Sequence, residues 1–292
     1  MIGNKIKCPK CKGEKTKKRG FRTTENRGKI QRYFCRDCKK SFVQDDGFYR
    51  MRNAPQKITL CLDLFYRGIS TRKVQEHLKA FHPHNADHRT ILRWIVKYAK
   101  MISKFTDKIK IDSGSEIQID EMKYKTKGKE SWFIDAIDTE TRYMVGSIYS
   151  RHRGQKEIKS VLKTAKEKTG EQVKIVTSDG FTAYPKVVKK IFGYNNKLGK
   201  YNVEHNIVTQ LRNEGFNHKI ERLHNNIRAR TKTFRGFKNV NSAHAIMLGY
   251  QIFYNFIREH QAIGKCPYEL AVPELKLGLN KWLDLINLSC ET

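Results

Sequence analysis

The chain has 292 residues, enough for one sizeable core plus one or two small modules, and its 59 Lys and Arg against 29 Asp and Glu leave a net charge of +30. A surface that positive repels itself unless it meets a polyanion, so nucleic acid is the leading partner, although charge alone decides neither sequence choice nor reaction, and ribosomal or membrane-surface proteins are equally basic. No apolar run is long enough to span a membrane and residues 1–13 lack the apolar core of a secretion signal, so a cytoplasmic, reducing setting is expected, where seven cysteines need a role other than disulfides.

The excess charge is concentrated early: residues 1–110 carry 29 basic and 9 acidic side chains, residues 111–292 carry 30 and 20. Within this basic front end, Cys8-Pro-Lys-Cys11 and Cys35-Arg-Asp-Cys38 form two CxxC pairs 23 residues apart. Tetrahedral Zn²⁺ takes four thiolates, and a two-residue gap lets one tight turn present two of them, so residues 1–44 read as a zinc ribbon. A β-hairpin including Gln31-Arg-Tyr-Phe34 is expected between the knuckles, with Lys15, Lys17, Lys18, Arg19, Arg22, Arg27 and Lys29 available to a DNA backbone or simply solvated. The plainer alternative is four metal-free thiols in a basic tail. Cys61, Cys266 and Cys290 are isolated and read as small hydrophobes.

Residues 55–105 carry a helix-turn-helix pattern. Pro55 opens a helix with Ile58, Leu62 and Phe65 at helical spacing, Arg67-Gly-Ile-Ser70 breaks it, and Ser70 suits the cap of a second helix from Thr71 to about Ala80. After the polar loop HPHNAD, Asp87 caps a third helix with Ile91, Trp94, Ile95 and Tyr98 on one side and Arg89, Arg93, Lys97 and Lys100 on the other. A recognition helix needs those two faces, and His88, Arg89, Thr90 and Arg93 near its start would lie nearest base edges, with Lys97 following. An ordinary helical bundle with a solvated basic face has the same pattern.

From Glu116 the pattern becomes α/β: three strand-like runs, a helix over GQKEIKSVLKTAKEKTG, a buried strand VKIVTSD ending on Asp179, and another helix. Residues 111–262 thus have the order of an RNase H-like core, whose first strand is central, so that Asp120 and Asp179 would converge. A helix beginning near Asn217 places Glu221 on one side with Asn217, His224 or Asn225, and Arg228. Glu204 and Glu214 compete with Glu221 as a third acid, while Asp138 reads as a turn residue and Asp135 as pointing away from Asp120's cleft. Glu121 is also nearby. Acids around a cleft in a cationic protein suit two Mg²⁺ or Mn²⁺ ions that activate the attacking oxygen and stabilise the leaving one at a phosphodiester. Residues 263–292 read as a C-terminal tail.

The strings QIDEMKYKTKGKESWFIDAID, VTSDGFTAY, NHKIERLHNNIRARTKTFRGFKN and NFIREHQAIGKCPYELA resemble the core of bacterial and archaeal insertion-sequence DDE transposases, near insertion-sequence family six, with a retroviral-integrase-type fold. CPKC, QRYFCRDCKKSF and the RGIS-centred segment resemble their N-terminal modules. The resemblance implies a catalytic, cation-binding triad of Asp120, Asp179 and Glu221, with Arg228 as the basic residue that follows, and a prokaryotic, nucleoid-associated protein. It also implies terminal inverted repeats and target DNA as substrates, and a homodimer or larger assembly to hold two element ends. Two rivals share the fold: a DNA-binding regulator without chemistry, and a nuclease that hydrolyses but never joins strands.

Overall fold

The computed structural model describes residues 6–82, 86–208, 217–234 and 237–291. Strands β1 (Thr16–Thr24), β2 (Gly28–Cys35) and β3 (Ser41–Val43) form an antiparallel sheet in sequence order, and the expected hairpin is the β1–β2 pair. Most of β1 is exposed, including its lysines and arginines. Arg27, in the turn between β1 and β2, has its guanidinium paired with Asp46. Asp46 belongs to a linker that ties the sheet to the helices behind it: Gly47 offers its carbonyl to the Tyr98 hydroxyl at 3.1 Å, and Phe48 is fully buried.

Helices α1 (Pro55–Tyr66), α2 (Thr71–Phe81) and α3 (His88–Thr106) follow. The caps are those the sequence calls for: Ser70 Oγ accepts from the Lys73 amide at 3.3 Å, and Asp87 Oδ2 from the Arg89 amide at 2.9 Å. Ile58, Leu62, Val74, Leu78, Ile91, Ile95 and Tyr98 are all buried, so the periodic apolar positions of the three helices make one core. Part of the loop between α2 and α3, residues 83–85, lies outside the described residues. Helix α3 also packs against helices that come later in the chain.

The central sheet is built from β4 (Glu116–Thr126), β5 (Lys129–Asp138) and β6 (Met144–Ser150). Next come α4 (Gln155–Thr169), β7 (Ile175–Asp179) and α5 (Ala183–Phe192), the small hairpin β8 (Tyr194–Asn195) and β9 (Lys200–Tyr201), and β10 (Glu204–Val208). The strand order is β10-β7-β4-β5-β6, with β4, β5 and β6 antiparallel and β7 and β10 parallel to β4, so the first strand is central in an RNase H-like arrangement. The last strand, β10, has no counterpart in the sequence-based expectation.

Helix α6 (His218–Thr231) lies on the sheet face that carries Gln118 and Tyr124: the Gln118 side chain accepts from the Ile220 amide at 3.2 Å, and the Tyr124 hydroxyl donates to the Thr231 carbonyl at 2.8 Å. On the opposite face, α4 approaches so closely that a Cβ on Gly146 would meet the Val161 carbonyl at 2.8 Å. Helix α7 (Val240–Ile252) runs into a wider turn over Phe253–Ile257. The polar residues interrupting this apolar stretch, Gln251 and Asn255, hydrogen-bond the main chain of Met144, where a bulge breaks the β5–β6 ladder. Residues 263–292 carry α8 (Pro267–Ala271) and α9 (Lys281–Glu291), and α9 packs on α1 and α3 through buried Trp282, Leu285 and Ile286.

Candidate functional site

Strand β7 pairs with β4 only from Glu116 to Gln118, after which the two parallel strands part. The crevice outside the carboxyl ends of parallel strands is where α/β sheets place ligands. Here it collects acids: oxygens of Asp120, Glu121 and Asp179 lie within 4.8 Å of one another. Asp120 and Asp179 therefore meet as the sequence predicts. Glu121 joins them although neighbours on a strand point to opposite faces, because the parted edge lets carboxylates from both faces reach the same gap.

Three carboxylates this close repel one another unless a cation or proton lies between them. Burial lifts the Glu121 carboxyl to about 7, with the Asp179 and Asp120 charges adding to the rise against the Tyr184 hydroxyl and Arg153. Its Oε1 is buried without a hydrogen-bond partner among the described residues, and Arg153 Nε stands 3.4 Å away. The Arg153 guanidinium is held by rings, 4.0 Å from the Phe181 centroid and 5.0 Å from that of Trp132. An all-oxygen donor set with an unsatisfied buried oxygen fits a hard divalent cation, Mg²⁺ or Mn²⁺.

On the α6 side of the sheet, Asp120 stands opposite Asp135 in the β4–β5 register. His224 bridges them, with Nδ1 3.4 Å from Asp120 and Nε2 3.2 Å from Asp135. Burial alone would push this imidazole down, but the hydrogen bonds to Asp120 and Asp135 outweigh it and lift the ring to about 9. Asp135 therefore shares the sheet face of Asp120, because directly paired residues share a face, while it stays outside the Asp120–Glu121–Asp179 cluster at the cleft; the register placing the two opposite each other is a tertiary fact that alternation within one strand does not reveal. Asp138 is a turn residue as expected, accepting from the Gly114 and Thr141 amides at 3.1 and 3.0 Å.

Glu221 sits exposed in the first turn of α6, three residues before His224, and is not a member of the Asp120–Glu121–Asp179 cluster. Arg228 is exposed and donates to Asn225 Oδ1 at 3.1 Å. Of the competing acids, Glu204 is exposed at the start of β10, and Glu214 lies outside the described residues.

A second metal-compatible group is formed by Cys8, Cys11, Cys35 and Cys38. The Cys8–Cys38 and Cys11–Cys35 sulfurs are 3.6 and 3.5 Å apart. Four Zn–S bonds of about 2.3 Å require sulfur separations of about 3.8 Å, close to these. The two knuckles repeat one backbone device: Lys12 and Lys39, each just after the second cysteine of its pair, adopt φ of 59° and 56°. The Cys11 amide, directed at the Cys8 sulfur, holds that thiol down at about 7, whereas the Cys11 thiol, against the pull of the Gly13 amide, is pushed up to about 12 by its hydrogen bond to Cys35, by burial and by Cys38 and Cys8.

On α3, Arg89 and Arg93 are exposed, whereas His88 and Thr90 are half-buried. His88 is tied to its neighbours, with Nδ1 3.0 Å from Asp87 and 3.3 Å from Gln75. Lys97 donates to the Gly47 carbonyl at 3.3 Å, so this ammonium helps fasten the linker.

A mixed sheet with acids gathered where its parallel strands part defines a phosphoryl-transfer core. The DDE domain of IS240-type transposases matches residues 114–260, about half of the chain, and the chain belongs to that family as a phosphoryl-transfer enzyme of the DDE transposase class. An uncharacterised protein of Methanocaldococcus jannaschii is 25% identical over 228 residues, 75% of this chain and 95% of that protein. The HTLV-2 integrase catalytic core domain in complex with magnesium, in its dimeric form, is similar with a TM-score of 0.40 and 15% identity over 55% of this chain and 97% of that one. A chain of the simian T-cell lymphotropic virus intasome in complex with the PP2A regulatory subunit B56 gamma has a TM-score of 0.42 and 11% identity over 73% of each chain. Among the described residues no helix is long and apolar enough to cross a membrane.

Proposed function

We propose that this enzyme binds the terminal inverted repeats of an insertion sequence and carries out metal-dependent cleavage and strand transfer of DNA. The observation that carries this reading is the meeting of Asp120 and Asp179 at one cation-sized gap in a chain of charge +30. In this reading Asp120 and Asp179 are cation ligands and Glu221 completes the catalytic triad from α6. Mg²⁺ or Mn²⁺ held there supplies activation of the attacking oxygen and stabilisation of the leaving one at phosphorus. His224 fixes the orientation of the Asp120 carboxylate by bridging it to Asp135. Arg228, exposed farther along α6, contacts the DNA backbone.

Cys8, Cys11, Cys35 and Cys38 hold a structural Zn²⁺ that fastens the β1–β2 hairpin, and α2 with α3 acts as a helix-turn-helix. The start of α3 reads bases through Arg89 and Arg93, with His88 and Thr90 beside them, while Lys97 braces the helix against the linker. Two element ends are held together by a dimer or larger assembly, in a prokaryotic cytoplasm at the nucleoid.

The direct test is to incubate the purified full chain with a labelled terminal-repeat oligonucleotide, supercoiled plasmid and Mn²⁺ or Mg²⁺. Joined product is expected, and Asp120→Asn abolishes joining while sparing duplex binding. Joining by the variant at the wild-type level removes the assignment.

A further inference from the structure

A small cavity of about 120 Å³ opens beside the first turn of α6, on the sheet face that carries Asp120 and Asp135. Ile137, two residues beyond Asp135 on β5, forms its floor, which puts it roughly 7 Å along the strand from Asp135. Arg142, His218, Lys219, Arg222 and His260 supply the polar lining, and no carboxylate is among the described lining residues. With about 30 Å³ per water molecule, the space takes one tetrahedral oxyanion and part of its hydration.

The lysine and arginine side chains of this lining are donors only. His260 is 7% exposed, and its Nδ1 already accepts from the Ala262 amide at 3.3 Å, which leaves Nε2–H as the free edge of the neutral ring. The neighbouring charges acting on that ring, from Arg258, Arg142 and Arg222, are all positive. Arg142 Nε, in the lining, is buried without a hydrogen-bond partner among the described residues, as is Nη1 of Arg258, which lies outside the lining but near the His260 ring. The helix end adds to the imbalance: His218, Lys219 and Arg222 stand at the N-terminus of a 14-residue helix, where its dipole is already positive, with Glu221 the one acid in the first turn. Guanidinium groups crowded together and short of acceptors are stabilised by an anion.

We propose that this cavity is a phosphate site that grips a DNA backbone phosphodiester close to the one being cut. The proposal rests on the reading of the chain as a DNA-processing enzyme and adds a named site for holding the strand. Arg142 and Arg222 are the two anchors, with His260 as a further donor in the same lining. Because the contact is to the backbone, it positions the strand and carries no sequence preference.

The test uses the full chain and a fluorescein-labelled duplex of random sequence, with anisotropy read across a salt series for the wild type, Arg142→Gln, Arg222→Gln and the double variant. Arg222 is exposed on its helix, so its variant keeps the test valid if Arg142→Gln lowers the melting temperature. Each substitution is expected to weaken binding and to reduce the slope of log affinity against log salt by about 1. Inorganic phosphate alone, followed by the NMR signal of the His260 ring, separates the two sources of the anion. A shifted signal together with reduced duplex slopes supports the backbone site. A shifted signal with an unchanged slope in the double variant means a small free anion is the ligand, and overturns it. Metal-dependent nicking of the same duplex by the wild type is run alongside. An unchanged slope while nicking persists overturns this site alone, and failure of the wild type to bind duplex overturns the site together with the functional reading.

Discussion

Asp120 and Asp135 stand directly opposite each other on adjacent antiparallel strands, and the ring of His224 spans the two carboxylates. One acid faces the cation gap and the other is fully buried behind it, so the single positive charge of the histidine ring offsets part of the repulsion between them and sets the angle at which Asp120 is presented. Removing one partner from a buried charged network leaves the others uncompensated. His224→Ala is therefore expected to cost about 3–5 kcal/mol in urea unfolding. A loss below about 1 kcal/mol would show that the bridge is not needed to hold the acids together.

Glu121 shares the gap with Asp120 and Asp179, and its buried Oε1 has no hydrogen-bond partner among the described residues. If it helps to hold the cation, Glu121→Gln weakens Mn²⁺ binding by about 10–100-fold in a calorimetric titration, the range found when groups supporting a metal site are changed. Affinity equal to the wild type would make Glu121 a partner of Arg153 only.

The cysteine cluster predicts one tightly held Zn²⁺ per chain. Cys35→Ser breaks the cluster from inside its buried half, and is expected to abolish zinc in elemental analysis and weaken binding to element ends. Unchanged metal content would leave the four thiols without the proposed role.

Gly249 on α7 marks a close approach between α7 and the N-terminal helices. A Cβ there would fall 1.8 Å from the Tyr66 hydroxyl and 3.0 Å from the Ala99 Cβ. Tyr66 is buried, bonded to the Ile246 carbonyl and stacked on Trp282, so it has little room to yield. Gly249→Ala is expected to destabilise the chain by about 1–3 kcal/mol, read as a lowered thermal midpoint. An unchanged midpoint would show that α7 and the N-terminal helices separate without cost.

What the sequence made legible is what local chemistry decides. Paired cysteines, the caps Ser70 and Asp87, and Asp179 closing its strand each depend on a few neighbouring residues, whereas Asp120, expected to end its strand, sits in the middle of β4, which runs on to Thr126. Asp135 and Glu121 were obscured because their positions follow from strand register and from the point where β7 leaves β4, neither of which is encoded in a short window. The same holds for Gln251 and Asn255, which look like interruptions of an apolar segment until the bulge at Met144 supplies their partners. Strand β10 is short and half-exposed, with polar residues among its five, and gave no periodic signal.

The account stands on Asp120 and Asp179 sharing a divalent cation, which a Mn²⁺ titration followed by electron paramagnetic resonance reads directly. The wild type is expected to bind Mn²⁺ in the apo state, and Asp120→Asn and Asp179→Asn should each lose that binding while keeping the wild-type circular dichroism spectrum. Retention of wild-type Mn²⁺ affinity by either folded variant would contradict it.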